Sequence, residues 1–173
     1  KNAEVTAIDL SLSSLSYAQR KINELGINNT KLIQMDILEI GLLEEKFDVI
    51  ECGGVLHHMD NPSKGLKVLL DILKNNGFLK LGLYSELARR NIIKAREYIH
   101  ANNLQPNNED IKSFRDDVFS GKIQQLSNLR HRSDFYTMSA CRDLCFHAKE
   151  HLFSIKQLQD NIKSNELKFL GFI

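Results

Sequence analysis

The hydrophobic pattern switches between two periods over the first half of the chain. Residues 4–11, EVTAIDLS, are rich in β-branched and apolar side chains and close on an acid, the pattern of a buried strand. Leu15, Ala18, Ile22 and Leu25 then recur at helical spacing, with Ser11 or Ser13 placed to cap the helix and Gly26 to stop it. Residues 29–38, NTKLIQMDIL, predict a second strand that again closes on an acid, and residues 46–54, KFDVIECGG, predict a third. Pro62 and Ser63 open a helix with Leu66, Leu69, Leu70 and Leu73 on one side. The KNNG stretch at 74–77 ends it, and FLKLGLYS at 78–85 reads as a fourth strand. Strand, helix, strand, strand, helix, strand with short connections predicts an α/β domain wound around a mostly parallel sheet.

The second half is helical in pattern. Ile92, Ile93, Ala95 and Ile99 give residues 86–104 a helical period, and asparagines precede another helix within 107–121. Composition narrows the class without naming it. In 173 residues, 23 basic and 22 acidic side chains leave no charge bias, which removes the electrostatic case for general nucleic-acid binding. The basic clusters Arg89-Arg90 and Arg130-His131-Arg132 read as solvated faces. No apolar run approaches the ~20 residues that span a bilayer, so no membrane partner is expected. Three cysteines, Cys52, Cys141 and Cys145, fit reduced thiols better than a disulfide framework, and a cytoplasmic address is the expectation.

In parallel sheets ligands gather at the carboxyl ends of the strands. Asp9, Asp36 and the run Glu51-Cys52-Gly53-Gly54 occupy those positions. A carboxylate such as Asp9 can accept both hydroxyls of a ribose, and Asp36, on a neighbouring strand about 5 Å away by sheet spacing, can accept an exocyclic amine. Each alone would equally suit a cap or a turn. Gly53 and Gly54 leave room for a ligand against the backbone. Cys52 reads as a small buried hydrophobe, because nothing orients His57 or His58 as its base. Those two histidines, as neighbours in an extended segment, should point to opposite sides. HAKEH at 147–151 has the H-x-x-E-H spacing of a zinc-binding helix, which Cys141 and Cys145 would enlarge, but a third ligand would have to come from the few residues downstream; no metal is expected.

Taken together, VTAIDLS, YAQRKINELGI, KLIQMDILEI and EKFDVIECGGVLHHMDNPSKGLKVLLDILKNNGFLKLGLYS resemble the body of a class I S-adenosylmethionine-dependent methyltransferase. The resemblance covers roughly the first half of the chain. It implies S-adenosyl-L-methionine as cofactor, with Asp9 on the ribose, Leu10 and Ile37 beside the adenine, Asp36 at the adenine amine, and Cys52 and Gly53 near the methionine moiety. It implies a Rossmann-like sheet with helices on both faces, divided as a partial cofactor-binding core (1–85), a helical insertion or substrate lid (86–166) and the start of a late antiparallel strand (167–173). His57, His58, Tyr136, Arg142 and His147 are the candidates for the pocket of a small-molecule or protein methyl acceptor. The family's first strand and glycine-rich loop belong upstream of Glu4, so an internal fragment lacking that strand is expected, inactive by itself. Residues 133–162 resemble a segment of bacterial methyltransferases often fused to tetratricopeptide repeats, which implies such a module in the parent protein. Two other classes stay open: a nicotinamide-dependent dehydrogenase-type nucleotide-binding domain, which also holds ribose on an acid after its second strand, and a non-catalytic α/β scaffold for protein contacts.

Overall fold

The computed structural model describes residues 3–147 and 150–173. Strand β1 (Val5–Asp9) passes into helix α1 (Leu12–Glu24) through Ser11, whose extended backbone ends the strand and whose Oγ accepts the Ser14 N–H. After Gly26, at φ +65°, the chain returns as β2 (Thr30–Gln34), parallel to β1, with Val5 opposite Thr30 and Asp9 opposite Gln34. This strand is shorter than its apolar pattern suggests. Asp36 turns the chain, its carboxylate accepting the Leu38 N–H at 2.8 Å and capping a 3-10 segment, Ile37–Leu43.

Strands β3 (Phe47–Gly53) and β4 (Leu73–Gly82) form a second parallel pair, joined through α2 (Pro62–Asp71). Asn61 caps α2 by accepting the Lys64 N–H, and Pro62 takes the first position, where no N–H is needed. The KNNG stretch is a bulge inside β4. Leu73 faces Phe47 and Phe78 faces Val49, so residues 74–77 leave the ladder, with Asn76 at φ +62°. Among the described residues no ladder joins the β1–β2 pair to the β3–β4 pair.

Lys1–Leu56 with Asp60–Gly82 make one compact unit, and His57–Met59 with Leu83–Ile173 make another. Buried Ile40, Ile50, Cys52, Leu56, Leu66, Leu69 and Ile72 lie in the first. Its strands are incompletely covered: Val49 and Phe78, partners across the ladder, are 62% and 58% exposed.

The second unit carries α3 (Arg90–Ala101), α4 (Asn108–Phe119), α5 (Met138–Phe146) and α6 (Ile155–Ser164). Ile92, Ala95 and Ile99 of α3 meet Ile111, Phe114 and Val118 of α4 in one apolar core. Cys141 and Cys145 belong to that core, so the pair does not extend a metal site. The Phe114 ring stands edge-on to Phe135 and Phe146 at centroid distances of 5.9 and 5.7 Å. Residues 167–173 lie outside any strand, with Leu170 and Phe172 exposed.

One buried charge cluster completes this unit. The Glu150 side chain, 2% exposed, accepts Arg89 Nε on one oxygen at 3.2 Å and Arg96 Nη2 on the other. Arg89 is therefore an interior residue, not part of a solvated basic face. The Arg130 and Arg132 guanidinium groups are likewise engaged, donating to the Val118 and Ala88 carbonyls at 2.9 Å.

Two substitutions test this packing. Phe114→Ala should cost about 3–5 kcal/mol through lost burial and a residual cavity, read as a lower urea midpoint with little change in slope. Glu150→Ala should cost about 3 kcal/mol, because it leaves buried Arg89 without its carboxylate. A denaturation curve that matched the parent protein would remove that ion pair from the fold's support.

Candidate functional site

The parallel register of β1 and β2 brings their carboxyl ends to the same edge, and the expected acids stand there. The Ser11 N–H donates to Asp9 Oδ1 at 2.7 Å. Asp9 Oδ2 has no hydrogen bond among the described residues, so the exposed carboxylate can still accept from a ligand. Leu10 follows with its side chain 66% exposed, and its carbonyl accepts Gln34 Nε2 at 3.0 Å, which ties the two strand ends together.

Asp36 lies on this edge, though not directly across from Asp9 as strand spacing suggested. Gln34 is the partner of Asp9, and the Met35 N–H donates to the Asp9 carbonyl at 3.2 Å, so Asp36 stands two residues beyond the pair. Its capping bond engages Oδ1 only. Both acids thus serve the local turn and retain acceptor capacity, and an exposed Leu10 with a half-buried Ile37 supplies apolar surface beside them. Two carboxylates with apolar neighbours suit the hydroxyl and amine donors of a nucleoside.

At the end of β3 the backbone is pressed against β4. Gly53 pairs with Gly82, and a Cβ on Gly82 would lie 3.0 Å from Gly53 Cα. Gly54 follows at φ +76°, a conformation that disfavours other residues. Cys52 is buried, and burial pushes its thiol pKa up, with a smaller opposing effect from a backbone hydrogen bond at Leu56. A thiol held protonated in this way is a poor nucleophile.

Leu56–His58 is a 3-10 turn rather than extended chain. The rings of His57 and His58 consequently lie 4.3 Å apart instead of pointing to opposite sides. His57 is buried and stacks on Tyr84 at 3.7 Å, and the Arg89 guanidinium lies over the same tyrosine at 3.4 Å from its ring centre. His58 meets His147 at 4.1 Å. The His57 carbonyl accepts the His151 N–H at 2.7 Å, which fastens the 57–59 segment to the chain beyond α5.

The H-x-x-E-H spacing does not make a helical zinc site. Helix α5 stops at Phe146, His147 has an extended backbone, and both Glu150 oxygens are held by arginines. Ala148 and Lys149, inside that motif, lie outside the described residues.

Of the five pocket candidates, His57, His58 and His147 are brought ring to ring. Arg142 joins His147 in lining a cavity of about 390 Å³ and donates to Asn108 Oδ1 at 2.8 Å. Tyr136 is placed elsewhere, its hydroxyl donating to the Arg130 carbonyl at 2.8 Å and its ring against Phe119. Tyr84 and Arg89 were not foreseen, and Glu150 was read only as the glutamate of the H-x-x-E-H spacing. The signal for them is slight: an arginine and a tyrosine just past a strand, and a lone glutamate between histidines.

Comparison with known proteins places this arrangement. Residues 1–79 match a family described as a methyltransferase domain. An uncharacterised Synechococcus protein, syc1184_c, is 33% identical over 183 residues, a match covering 99% of this chain and 43% of that protein. The ubiquinone biosynthesis O-methyltransferase of Glaesserella parasuis is 31% identical over 103 residues, covering 56% of this chain and 44% of the relative. The chain thus spans less than half the length of the curated relatives it matches. Among solved structures, Rickettsia typhi PKMT2 in complex with AdoHcy superimposes with a TM-score of 0.72 at 20% identity, over 97% of this chain and 35% of that one. A structure of PKMT2 described without AdoHcy gives a TM-score of 0.69 at the same identity, over 94% and 33%. The sequence match and the shared fold agree: residues 1–79 match the methyltransferase-domain family, and the chain shares the Rossmann-like fold of its methyltransferase structural neighbours.

Proposed function

We propose that the protein transfers a methyl group from S-adenosyl-L-methionine to a small-molecule or protein acceptor in the cytoplasm. The observation that carries this reading is the shared carboxyl edge of β1 and β2, where Asp9 and Asp36 each keep acceptor capacity beside Leu10 and Ile37. The cofactor, when bound, supplies an electrophilic methyl on a sulfonium. Asp9 would take the ribose hydroxyls, Asp36 the adenine amine, and Leu10 and Ile37 the faces of the ring. Cys52 and Gly53 would leave backbone open toward the methionine end.

The division into a cofactor core (1–85) and a helical substrate lid (86–166) belongs to the same proposal, as does a tetratricopeptide-repeat module in the parent protein. His57, His58, Arg142 and His147 would face the acceptor, and Tyr136, held by the Arg130 carbonyl and Phe119, would not. Direct methyl transfer demands alignment more than a dedicated base, which agrees with the inert setting of Cys52 and the engaged carboxylate of Glu150. The AdoHcy in the PKMT2 structure and the methyltransferase name of the Glaesserella relative support this choice over a dehydrogenase or a scaffold.

In the full-length protein, calorimetry should show S-adenosylmethionine binding, and Asp9→Ala should weaken it tenfold or more. Asp36→Ala should weaken adenosine binding while leaving methionine binding unchanged. An Asp9→Ala variant with unchanged affinity would refute the ribose assignment.

A further inference from the structure

Two backbone demands meet in the bulge at 74–77. Phe47 pairs with Leu73 and Val49 with Phe78, so Asp48 on β3 stands against four residues of β4. Within that turn Asn76 has φ +62°, the left-handed region that asparagine and glycine tolerate best. Position 77 has a separate requirement. A Cβ there would lie 2.8 Å from Leu73 Cδ1, 2.9 Å from the Lys74 carbonyl oxygen and 3.0 Å from the Asp48 carbonyl oxygen, which leaves room for glycine alone. The result is Asn76-Gly77, the one Asn-Gly pair in the sequence. We propose that Asn76 is a site of spontaneous deamidation and that its isoaspartate product loosens the β3–β4 pair. This inference rests on the geometry of the turn and stands apart from the methyl-transfer reading.

The reaction needs an amide nitrogen that can reach the carboxamide carbon of the residue before it. The Gly77 nitrogen attacks Asn76 Cγ and gives up its proton to solvent; the Cγ–Nδ2 bond breaks, and ammonia leaves as a five-membered succinimide closes. Water then opens the ring at one carbonyl to give aspartate or at the other to give isoaspartate. Nothing is oxidised or reduced, and water is the only co-reactant. Glycine has no side chain to shield its nitrogen, so the attack is least hindered in an Asn-Gly pair.

The turn leaves both reacting groups available. Lys74, Asn75 and Asn76 are exposed, which gives water access to the ring as it forms. Among the described residues the Asn76 carboxamide has no hydrogen bond, and residues 74–77 have no ladder partner to hold their torsions. Other asparagines lack this combination. Asn75 is followed by a residue with a side chain, and Asn107 uses its carboxamide oxygen to cap α4.

The product does not fit the site that made it. Isoaspartate routes the main chain through Cβ and Cγ, which lengthens it by one atom. In a turn packed this closely on Leu73, Lys74 and Asp48, that atom is absorbed only by moving the ladder on either side. The new carboxylate also adds negative charge to a turn whose Lys74 is already paired with Asp48 at 2.9 Å.

Mass spectrometry on the full-length protein tests the proposal, after incubation in neutral and in mildly alkaline buffer. In the tryptic peptide 75–80, Asn76 should gain about one dalton, as separate aspartate and isoaspartate species, at least tenfold faster than Asn75 and faster still at the higher pH. Asn76→Gly, which keeps the left-handed backbone, should abolish the change and leave the melting curve intact. The isoaspartate form, isolated by ion exchange, should melt below fresh protein. Asn76→Asp, which adds the charge without lengthening the chain, should melt with the parent. A rate at Asn76 no greater than at Asn75, an isoaspartate form that melts with the parent, or an Asn76→Asp variant as destabilised as that form would overturn the proposal. None of these readouts involves S-adenosylmethionine, so they stand or fall independently of methyl transfer.

Discussion

Parallel pairing is the constraint from which the first unit follows. Two parallel strands cannot be joined by a tight hairpin; the chain must cross back before it pairs again. Helix α1 makes that crossing between β1 and β2, and α2 lies in the one between β3 and β4. Within each pair the carboxyl ends then fall on one edge, and the residues that end a strand and start a helix collect there. Those residues must satisfy orphan backbone N–H groups, which is why Asp9, Ser11 and Asp36 are polar. A carboxylate needs only one oxygen for that task. The second oxygen leaves a structural acid able to accept from a ligand.

The second unit rests on a different necessity. A carboxylate withdrawn from water must be fully partnered, and Glu150 is, by two arginines from separate turns of one helical region. The pairing fixes Arg89, Arg89 covers one face of the Tyr84 ring, and Tyr84 stacks on His57. A loop glutamate thereby orders a histidine that lies far from it in sequence. The His151 N–H bond to the His57 carbonyl closes the same circuit through the backbone. Removing Glu150 would therefore disturb orientation as well as charge balance.

The strands and helices of the first half were legible because each side-chain period persists long enough to be read. Asp9 and Asp36 were legible as strand-end acids, while their exact registration was not: the capping preference of Asp36 overrode the apolar pattern running past it and shortened β2 to Thr30–Gln34. The 74–77 bulge was hidden for a related reason, since a turn inside a strand and a turn before one use the same residues. The histidine geometry could not be inferred at all. Whether His57 and His58 diverge or meet depends on extended or 3-10 backbone over three residues, and no period exists at that length. Arg89 looked like surface because its neighbour Arg90 is surface; its burial depends on Glu150, some sixty positions away.

Hydride transfer and methyl transfer would both use an acid such as Asp9, so that residue alone does not separate them. The separation comes from what surrounds it. Asp36 adds a second carboxylate on the same edge, suited to an amine donor, and the turn after β3 is shaped by Gly53, Gly54 and Gly82 around open backbone rather than by a reactive side chain. Cys52 lies at that turn, but burial raises its thiol pKa. A reaction that depends on aligning an electrophilic methyl with a nucleophile needs shape and fixed acceptors, and it tolerates the absence of an activated nucleophile in the protein. The first unit's edge has those acceptors, and the family match covers the same residues. Positioning, performed by groups already committed to holding the turns, is thus the chemistry this scaffold is best built to supply.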